Sequence, residues 1–247
     1  MEKPTSFLRW GLIGLFLATA AGAQTTPAWE REGQRQVCHG TTPAGQWPQV
    51  LGASSTQEMQ VVYFDTTNLA ADARGVSLRV RLRADRAEVT LKWRAEGVVP
   101  DAAADCEVDV TPTRALPACS WENDVPLALA QDVLRGARPR DQLLSVVQRA
   151  RLRRLMGTSD LADWRAYGPV RMRRWEVGRG ARGKKWRLER WEIVPGRATY
   201  EVSYRADASD SLALVRSTLE EKLQAAGLQT CAQDVSKTRL VLQHHLR

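Results

Sequence analysis

The sequence predicts an α+β fold in which about eight antiparallel strands form a barrel flanked by helices. In several runs, charged and apolar residues alternate, which is the period of a strand with one face of each kind. In residues 122–154 and 209–226 the apolar residues recur at helical spacing instead. Glycine and proline separate the later strands, at residues 178–183 and 195–196. A barrel with its apolar faces inside and a tunnel with its charged faces inside both fit this alternation.

The start of the chain is predicted to be a signal peptide, residues 1–23. Lys3 and Arg9 give it a positive start, an apolar run follows, and Ala21–Ala23 forms a small-residue cleavage site. An uncleaved N-terminal anchor is the alternative. No second apolar run long enough to span a membrane follows, so residues 24–247 are expected to be one exported domain, periplasmic or secreted, without a stable membrane span.

The charge of the chain favours an anionic partner. The leader contributes +1 to the formal net charge of +8, which leaves +7 for the remainder. An exported basic protein meets polyphosphates, nucleotides, nucleic acid, anionic glycans and lipid headgroups. Phenylalanine and tyrosine are scarce and no recognised nucleic-acid motif is present, so nucleic acid is not the expected partner. An anionic small molecule or polyphosphate is expected instead, and the oligomeric state is left open.

The four cysteines predict two disulfides, because an even number of cysteines in an exported chain is typical of paired ones. Three pairings are possible. The favoured one joins Cys106 to Cys119 across a short loop and Cys38 to Cys231, which ties the first strand to the segment after the last predicted helix. No C-x-x-C spacing occurs, so a metal site built on cysteine is not expected.

Taken in order, residues 29–38 are predicted to form the first strand, and residues 42–53 contain a short helix. Residues 57–64 begin the second strand. Residues 76–83 and 88–94 then alternate strictly and predict a hairpin with the turn at residues 84–87. One face of the hairpin carries Ser77, Arg79, Arg81, Arg83, Glu88, Thr90, Lys92 and Arg94.

The cationic face of this hairpin suggests an anion site. Four arginines and a lysine on one face repel one another unless an anion lies among them. The alternative is an ordinary half-buried sheet whose charged face is in water. Residues 106–111 form a further strand with Glu107 and Asp109 on one face, where they serve as ion-pair partners or as metal ligands, the former being favoured.

The second half predicts two helices within residues 122–154, with Asp141 as the N-cap of the second. Strands return in residues 170–205 as a meander. Arg171 and Arg173 share one face there, as do Arg190 and Glu192. A last helix in residues 209–226 is expected to pack on the outside of the barrel.

The stretch from Tyr63 to Arg94 resembles the core signature of the CYTH superfamily, also called triphosphate tunnel metalloenzymes. The signature consists of an aromatic pair followed by Asp-Thr, then Arg-Gly-x-Ser-Leu-Arg-x-Arg, then a Thr-Leu-Lys strand. The matching residues are Tyr63, Phe64, Asp65, Thr66, Leu69, Arg74, Gly75, Ser77, Leu78, Arg79, Arg81, Thr90, Leu91 and Lys92.

The resemblance implies a tunnel whose basic residues hold a triphosphate while glutamates hold Mg²⁺ or Mn²⁺. The implied metal ligands are Glu32, Glu201 and Glu107. The residues expected to bind phosphate are Arg79, Arg81, Lys92, Arg171, Arg173 and Arg190.

The chain departs from the family pattern at several acidic positions. In the first strand, the family's Glu-x-Glu-x-Lys aligns with Glu32, Gln34 and Gln36. A register two residues earlier aligns it with Glu30, Glu32 and Gln34 instead. Later, Val194 and Ser203 stand where the family has acids. An amide brings no negative charge to a hard divalent cation. The sequence therefore predicts polyphosphate or triphosphate binding with weak or no hydrolysis; an active metal-dependent triphosphatase and a purely structural module are the alternatives.

Overall fold

A computed structural model describes residues 29–95, 104–178, 185–233 and 235–246. The predicted signal peptide lies outside the described residues, so its cleavage and the single domain over residues 24–247 stay predictions. The described strands are β1 (Glu30–Gly40), β2 (Ala53–Thr66), β3 (Val76–Leu82), β4 (Arg86–Arg94), β5 (Asp105–Val110), β6 (Ala115–Pro126), β7 (Trp164–Val177), β8 (Trp186–Val194), β9 (Arg197–Ala206) and β10 (Leu228–Thr230). The helices are α1 (Trp47–Val50), α2 (Ala70–Ala73), α3 (Leu127–Leu134), α4 (Val146–Met156), α5 (Leu212–Ala225) and α6 (Lys237–His245), with 3-10 turns at Ala44–Gln46 and Arg140–Leu143.

Nine of these strands close into a barrel, in the order β1-β5-β6-β4-β3-β2-β7-β8-β9 and back to β1. Strand β10 extends the sheet beside the end of β1. Every neighbouring pair in the barrel is antiparallel except β1 and β5, which run parallel. The α+β barrel with flanking helices is confirmed, but the prediction of about eight antiparallel strands is wrong in strand number and in this one pair.

The additional barrel strand is β6. The sequence analysis assigned its second half to a helix, since apolar residues at helical spacing begin there. In the structure the chain stays extended as far as Pro126, because β6 pairs with β4 on one side and with β5 on the other. Helix α3 then starts at Leu127. The pairing with β4 joins segments that are far apart in sequence, so local periodicity did not reveal it.

The outer face of the barrel is apolar and the helices cover it. One buried cluster joins residues such as Leu78 and Val89 to Leu152 of α4, with α2 and α3 beside them. A second cluster packs strand residues such as Val202 against Leu219 of α5. Because the apolar faces point outward, the charged faces of the same strands point into the barrel. The fold is therefore a tunnel.

Helix α6 fills part of this interior. Its residues Val241 and Leu242 are buried against Val61, Met172 and Trp191, and the helix contacts β2, β7 and β8. Met172 lies opposite both Met59 and Trp191 in the sheet, on the face that points into the barrel. The sequence analysis did not predict this helix, although Ser236 caps it by accepting a hydrogen bond from the Arg239 backbone N–H.

Both favoured disulfides are confirmed. The Cys38–Cys231 bond links β1 to the segment that follows β10, and the Cys106–Cys119 bond joins directly opposed residues of β5 and β6. The second long helix begins after Ser145, which forms a capping box with Gln148, and not after the predicted N-cap. Among the described residues, no helix is both long enough and apolar enough to cross a membrane.

Candidate anion and metal site in the tunnel

The inner faces of the strands and one face of α6 enclose a cavity of about 900 Å³. Charged side chains dominate its lining. Cations come mainly from β3, β4, β8 and β9, and acids from β1, β5, β8 and β9. Pairing in the sheet explains this arrangement, since residues that face each other across strands lie on the same side of the barrel wall.

Arg79 is a cation of this cavity for which the described residues provide no ion pair, although the charge of Glu122 acts on it from a longer distance. It lies on β3 between Tyr63 of β2 and Thr90 of β4. Its Nε is buried, and in the part of the chain that the structure describes nothing accepts a hydrogen bond from it. Burial lowers the pKa of Arg79, and the nearby charges of Arg81 and Arg94 lower it further. A cation held in this way is complementary to an anion that enters the tunnel.

The other predicted phosphate-binding cations of the hairpin also face the tunnel, but each has a carboxylate partner. Arg81 forms an ion pair with Glu88, which also accepts a hydrogen bond from Arg83 at 2.5 Å. Lys92 donates to Glu107 at 2.8 Å and to Asp109 at 3.1 Å. These two predicted residues therefore lie at the site with their charge partly neutralised.

Three predicted phosphate-binding residues, Arg171, Arg173 and Arg190, do not line the cavity, and this part of the prediction is wrong. Arg171 and Arg173 are exposed on the outer face, where Arg173 forms an ion pair with Glu58. Arg190 is partly exposed and pairs with the neighbouring Glu192.

The physical reason for this correction is the placement of α6. Its apolar side chains need apolar partners inside the barrel, and Met172 and Trp191 provide them. The residues on either side of each must then point outward, since strand side chains alternate. The cations of these strands that do reach the cavity are Arg174 and Arg187, which the sequence analysis missed. Arg173 and Arg174 are adjacent in β7, so arginines occur on both of its faces and the sequence held no signal for the choice.

Two of the three predicted metal ligands meet in one acidic cluster. Oxygens of Glu32, Glu107 and Asp109 lie within 4.8 Å of one another. The parallel pairing of β1 with β5 produces the cluster, because it places Glu32 beside Asp109 and Glu30 beside Glu107. Carboxylate oxygens at this spacing are the ligands that Mg²⁺ and Mn²⁺ prefer, so the cluster could bind a metal ion.

The pKa values of the two β5 acids in the cluster shift in opposite directions. Burial raises the pKa of Glu107 to about 7, and the charge of Glu32 adds to this effect against the attraction of Lys92. The pKa of Asp109 is lowered despite burial, because Lys92 and Arg94 both lie beside it. Arg94 donates to Asp109 at 2.5 Å. Asp109 is thus held by protein cations, while Glu32 and Glu107 have more capacity to take a metal ion.

The third predicted ligand, Glu201, is not part of the cluster. It lies on the inner face of β9, directly opposite Glu189 of β8. Both carboxylates accept hydrogen bonds from Lys237, each at 2.6 Å. The sequence analysis did not single out Glu189 or Lys237. The alternating pattern of β8 could have identified Glu189 as a residue of the inner face. Lys237 could not be identified in this way, because it reaches the site only since α6 lies inside the barrel.

Gln34 and Ser203, which stand where the family has acids, and Gln36, which stands where it has a lysine, are on the inner face. Gln34 lies opposite Ser203, and Gln36 lies opposite Glu201. The Gln34 amide donates to Glu32 at 3.1 Å and to Asp109 at 3.4 Å. Both registers considered for the first strand place their residues on this face, so the substitutions at Gln34 and Ser203 reduce the negative charge of the tunnel itself.

Neither the scan against protein-family models nor the search of curated proteins finds a match to this chain. Solved structures do match. A candidate adenylyl cyclase from Hippeastrum, described as having a dominant triphosphatase activity, superposes with a TM-score of 0.65 at 17% identity, over 87% of this chain and 95% of that chain. A candidate adenylate cyclase from Bacillus halodurans superposes with a TM-score of 0.55 at 15% identity, over 85% of this chain and 96% of that chain. The chain thus shares the fold of these solved structures, and this likeness agrees with the fold that the sequence resemblance implies.

Proposed function

We propose that this protein binds a triphosphate or polyphosphate anion in its tunnel, together with a divalent cation, and hydrolyses it weakly or not at all. The observation that carries the proposal is Arg79, a cation on the tunnel wall with no acceptor among the described residues. Buried polar groups in folded proteins are almost always satisfied, and an unsatisfied charge costs several kcal/mol. An anionic ligand is the partner that Arg79 lacks.

A purely structural role for the tunnel charges explains less. It accounts for Arg81, Lys92 and Arg94, because each has a carboxylate within ion-pair distance. It does not account for Arg79, which forms no ion pair with a described residue and whose charge is opposed by Arg81 and Arg94 and favoured only through space by Glu122. Several cations around one cavity suit a ligand that carries several negative charges. The triphosphatase activity described for the Hippeastrum protein supports this ligand class.

Glu32, Glu107 and Asp109 would hold the divalent cation, as Mg²⁺ or Mn²⁺. Such an ion, when bound, neutralises phosphate charge and orients water. Lys92 and Arg94 already satisfy part of the negative charge of these carboxylates. We therefore expect the cation to bind best together with the anion. The glutamines on β1 and Ser203 on β9 leave the remaining wall poor in ligands, which is the reason to expect little turnover.

We also infer that the protein is exported, to the periplasm or outside the cell. Two disulfides join all four cysteines in the described part of the chain. Such bonds persist in oxidising compartments and are rare in the reducing cytosol. The apolar leader predicted for residues 1–23 agrees with this location.

The test is isothermal titration of the oxidised protein, without its leader, with tripolyphosphate in low salt and Mg²⁺. Arg79→Gln is expected to weaken binding about 10- to 100-fold, since a charge-assisted hydrogen bond contributes about 1.5–3 kcal/mol. Arg173→Gln is the matched control, because Arg173 is an arginine of the same barrel that faces outward. Equal affinity for wild type and Arg79→Gln would overturn the proposal.

The active triphosphatase remains the competing function, favoured by the Glu32, Glu107 and Asp109 cluster. Phosphate release from tripolyphosphate and from ATP, with Mg²⁺, Mn²⁺ or EDTA, separates the two. We expect release close to the rate without protein. Rapid metal-dependent release that Glu32→Gln abolishes would show that the remaining carboxylates suffice for catalysis.

A further inference from the structure

A second pair of acids faces the tunnel, apart from the Glu32 cluster. Glu189 and Glu201 lie directly opposite each other on β8 and β9, and their side chains are only 9% and 8% exposed. Like charges at this position on paired strands repel, and burial increases the repulsion. Two such carboxylates persist in a folded protein when a cation joins them.

The chain itself provides that cation. The Nζ atom of Lys237 lies 2.6 Å from an oxygen of Glu189 and 2.6 Å from an oxygen of Glu201. Arg174 adds a bond to the other oxygen of Glu189 at 2.9 Å. Although burial acts in the opposite direction, Lys237 and Arg174 hold the pKa of Glu189 well below its usual range. A cation between two carboxylate oxygens, in a cavity with polar walls, has the environment of a bound metal ion.

Lys237 is held in this position from several sides. It is the first residue of α6, and the Gln36 side chain on β1 donates to the Val235 carbonyl just before it. The aliphatic and aromatic packing of α6 inside the barrel fixes the helix. The ammonium also lies 5.2 Å from the centre of the Trp191 ring, whose Nε1 donates to Glu189. The site is therefore built around the lysine, with both acids satisfied.

We propose that Lys237 is a built-in cation that takes the place of a divalent metal ion between Glu189 and Glu201. The ammonium excludes metal from this pair of acids, which leaves the described part of the tunnel with the candidate metal site at Glu32, Glu107 and Asp109. This inference rests on the proposed function only for that first site. The assignment of Lys237 to the second one stands on the contacts around Glu189 and Glu201 alone.

The test counts Mn²⁺ ions bound per chain, by electron paramagnetic resonance, without phosphate. Lys237→Met removes the ammonium and keeps an unbranched side chain, and we expect it to bind one more Mn²⁺ than wild type. Lys237→Arg is the control that keeps the charge, with no additional ion expected. In the double variant Lys237→Met with Glu201→Gln the additional ion should be lost, since one ligand is gone. A folded Lys237→Met protein that binds no more Mn²⁺ than wild type would contradict the proposal.

The melting temperature provides a second readout, because Lys237→Met leaves two buried acids without a cation. Mn²⁺ should raise the melting temperature of this variant more than that of wild type. If the variant is unfolded without metal, circular dichroism during Mn²⁺ addition decides the question: recovery supports the inference and no recovery at saturation contradicts it. A wild type that binds no Mn²⁺ even with tripolyphosphate present would count against the first metal site in the proposed function, while one gained ion in Lys237→Met would still support this inference.

Discussion

Two residues of the recognised motif, Asp65 and Gly75, act on the backbone and have no place in the anion chemistry. The buried Asp65 carboxylate accepts hydrogen bonds from the backbone N–H groups of Thr66, Ala71 and Asp72, between 2.7 and 2.9 Å. Gly75 has a φ of +70°, and a Cβ there would lie 2.0 Å from the Arg94 carbonyl oxygen. These residues shape the connection between β2 and β3, so part of the motif encodes the fold.

At the same scale, Glu88 makes the stability of the protein depend on pH. Burial acts to raise its pKa, but Arg81 and Arg83 outweigh this and lower it from 4.5 to about 2. A carboxyl whose pKa is lower in the folded state stabilises the protein above its unfolded pKa. That contribution is lost as the pH falls from about 4.5 towards 2.

We predict that Glu88→Gln destabilises the protein at pH 7 by up to about 3 kcal/mol. The difference from wild type should shrink as the pH falls below about 4, because Glu88 then takes up a proton in the unfolded state while the folded state, with its lower pKa, still resists protonation. Urea unfolding of both proteins at pH 7 and at pH 3 measures it. A difference that is the same at the two pH values would show that the two arginines do not lower the pKa of Glu88.

At the scale of elements, α6 gives the tunnel two kinds of wall. Where α6 packs, the inner faces of β2, β7 and β8 are apolar. Elsewhere the inner faces are charged, and the side of α6 that faces the cavity adds Lys237 and Arg239 to them. Arg239 also bonds Asp72 at 2.8 Å, which ties the helix to the β2–β3 connection. One helix thereby decides both the shape of the cavity and part of its charge.

We predict that Leu242→Ala lowers the free energy of unfolding by about 2–5 kcal/mol, because Leu242 is 2% exposed and its removal leaves a cavity. Leu246→Ala is the control. Leu246 follows the same helix but is 46% exposed, and a surface substitution of this kind changes stability by about 0.5 kcal/mol or less. Urea unfolding of both variants measures the difference. Similar losses in the two would mean that α6 is not packed inside the barrel.

At the scale of the whole molecule, ring closure and the disulfides hold distant segments together. Strand β1 contacts β5, β9 and β10, so the first described strand depends on the last ones. The Cys38–Cys231 bond covers a separation of 193 residues, and the Cys106–Cys119 bond covers 13. The long-range bond therefore restricts the unfolded chain far more than the short one.

We predict that Cys38→Ser with Cys231→Ser destabilises the protein by about 5 kcal/mol, and Cys106→Ser with Cys119→Ser by about 3 kcal/mol, from the loss of loop closure. Urea unfolding of the two double variants, each with the other bond oxidised, gives the comparison. A larger loss for the short-range pair would show that contacts at the β5–β6 junction, and not chain entropy, dominate its contribution.

Local patterns predicted much of this protein. Strand alternation found most of the barrel, the hairpin cations Arg79, Arg81 and Lys92 face the tunnel as expected, and the favoured cysteine pairing is correct. The patterns did not find β6, whose extended form depends on two partner strands, or α6, whose apolar side chains are few. They also assigned Arg171 and Arg173 to the wrong face, since adjacent positions in β7 suit either one.

The sequence by itself determined which residues share a strand face and where the chain turns, and it favoured the cysteine pairing without fixing it. Strand faces and turns depend on residue spacing along the chain, and the favoured disulfides depend on an even number of cysteines. The tertiary structure alone decided which face points inward and which acid each cation meets. Alternation is the same whether a barrel is built with its charges outside or inside, and contacts such as Lys92 with Glu107 and Lys237 with Glu201 exist because the ring closes and α6 enters it. For that reason the unpaired Arg79 is visible only in the folded protein.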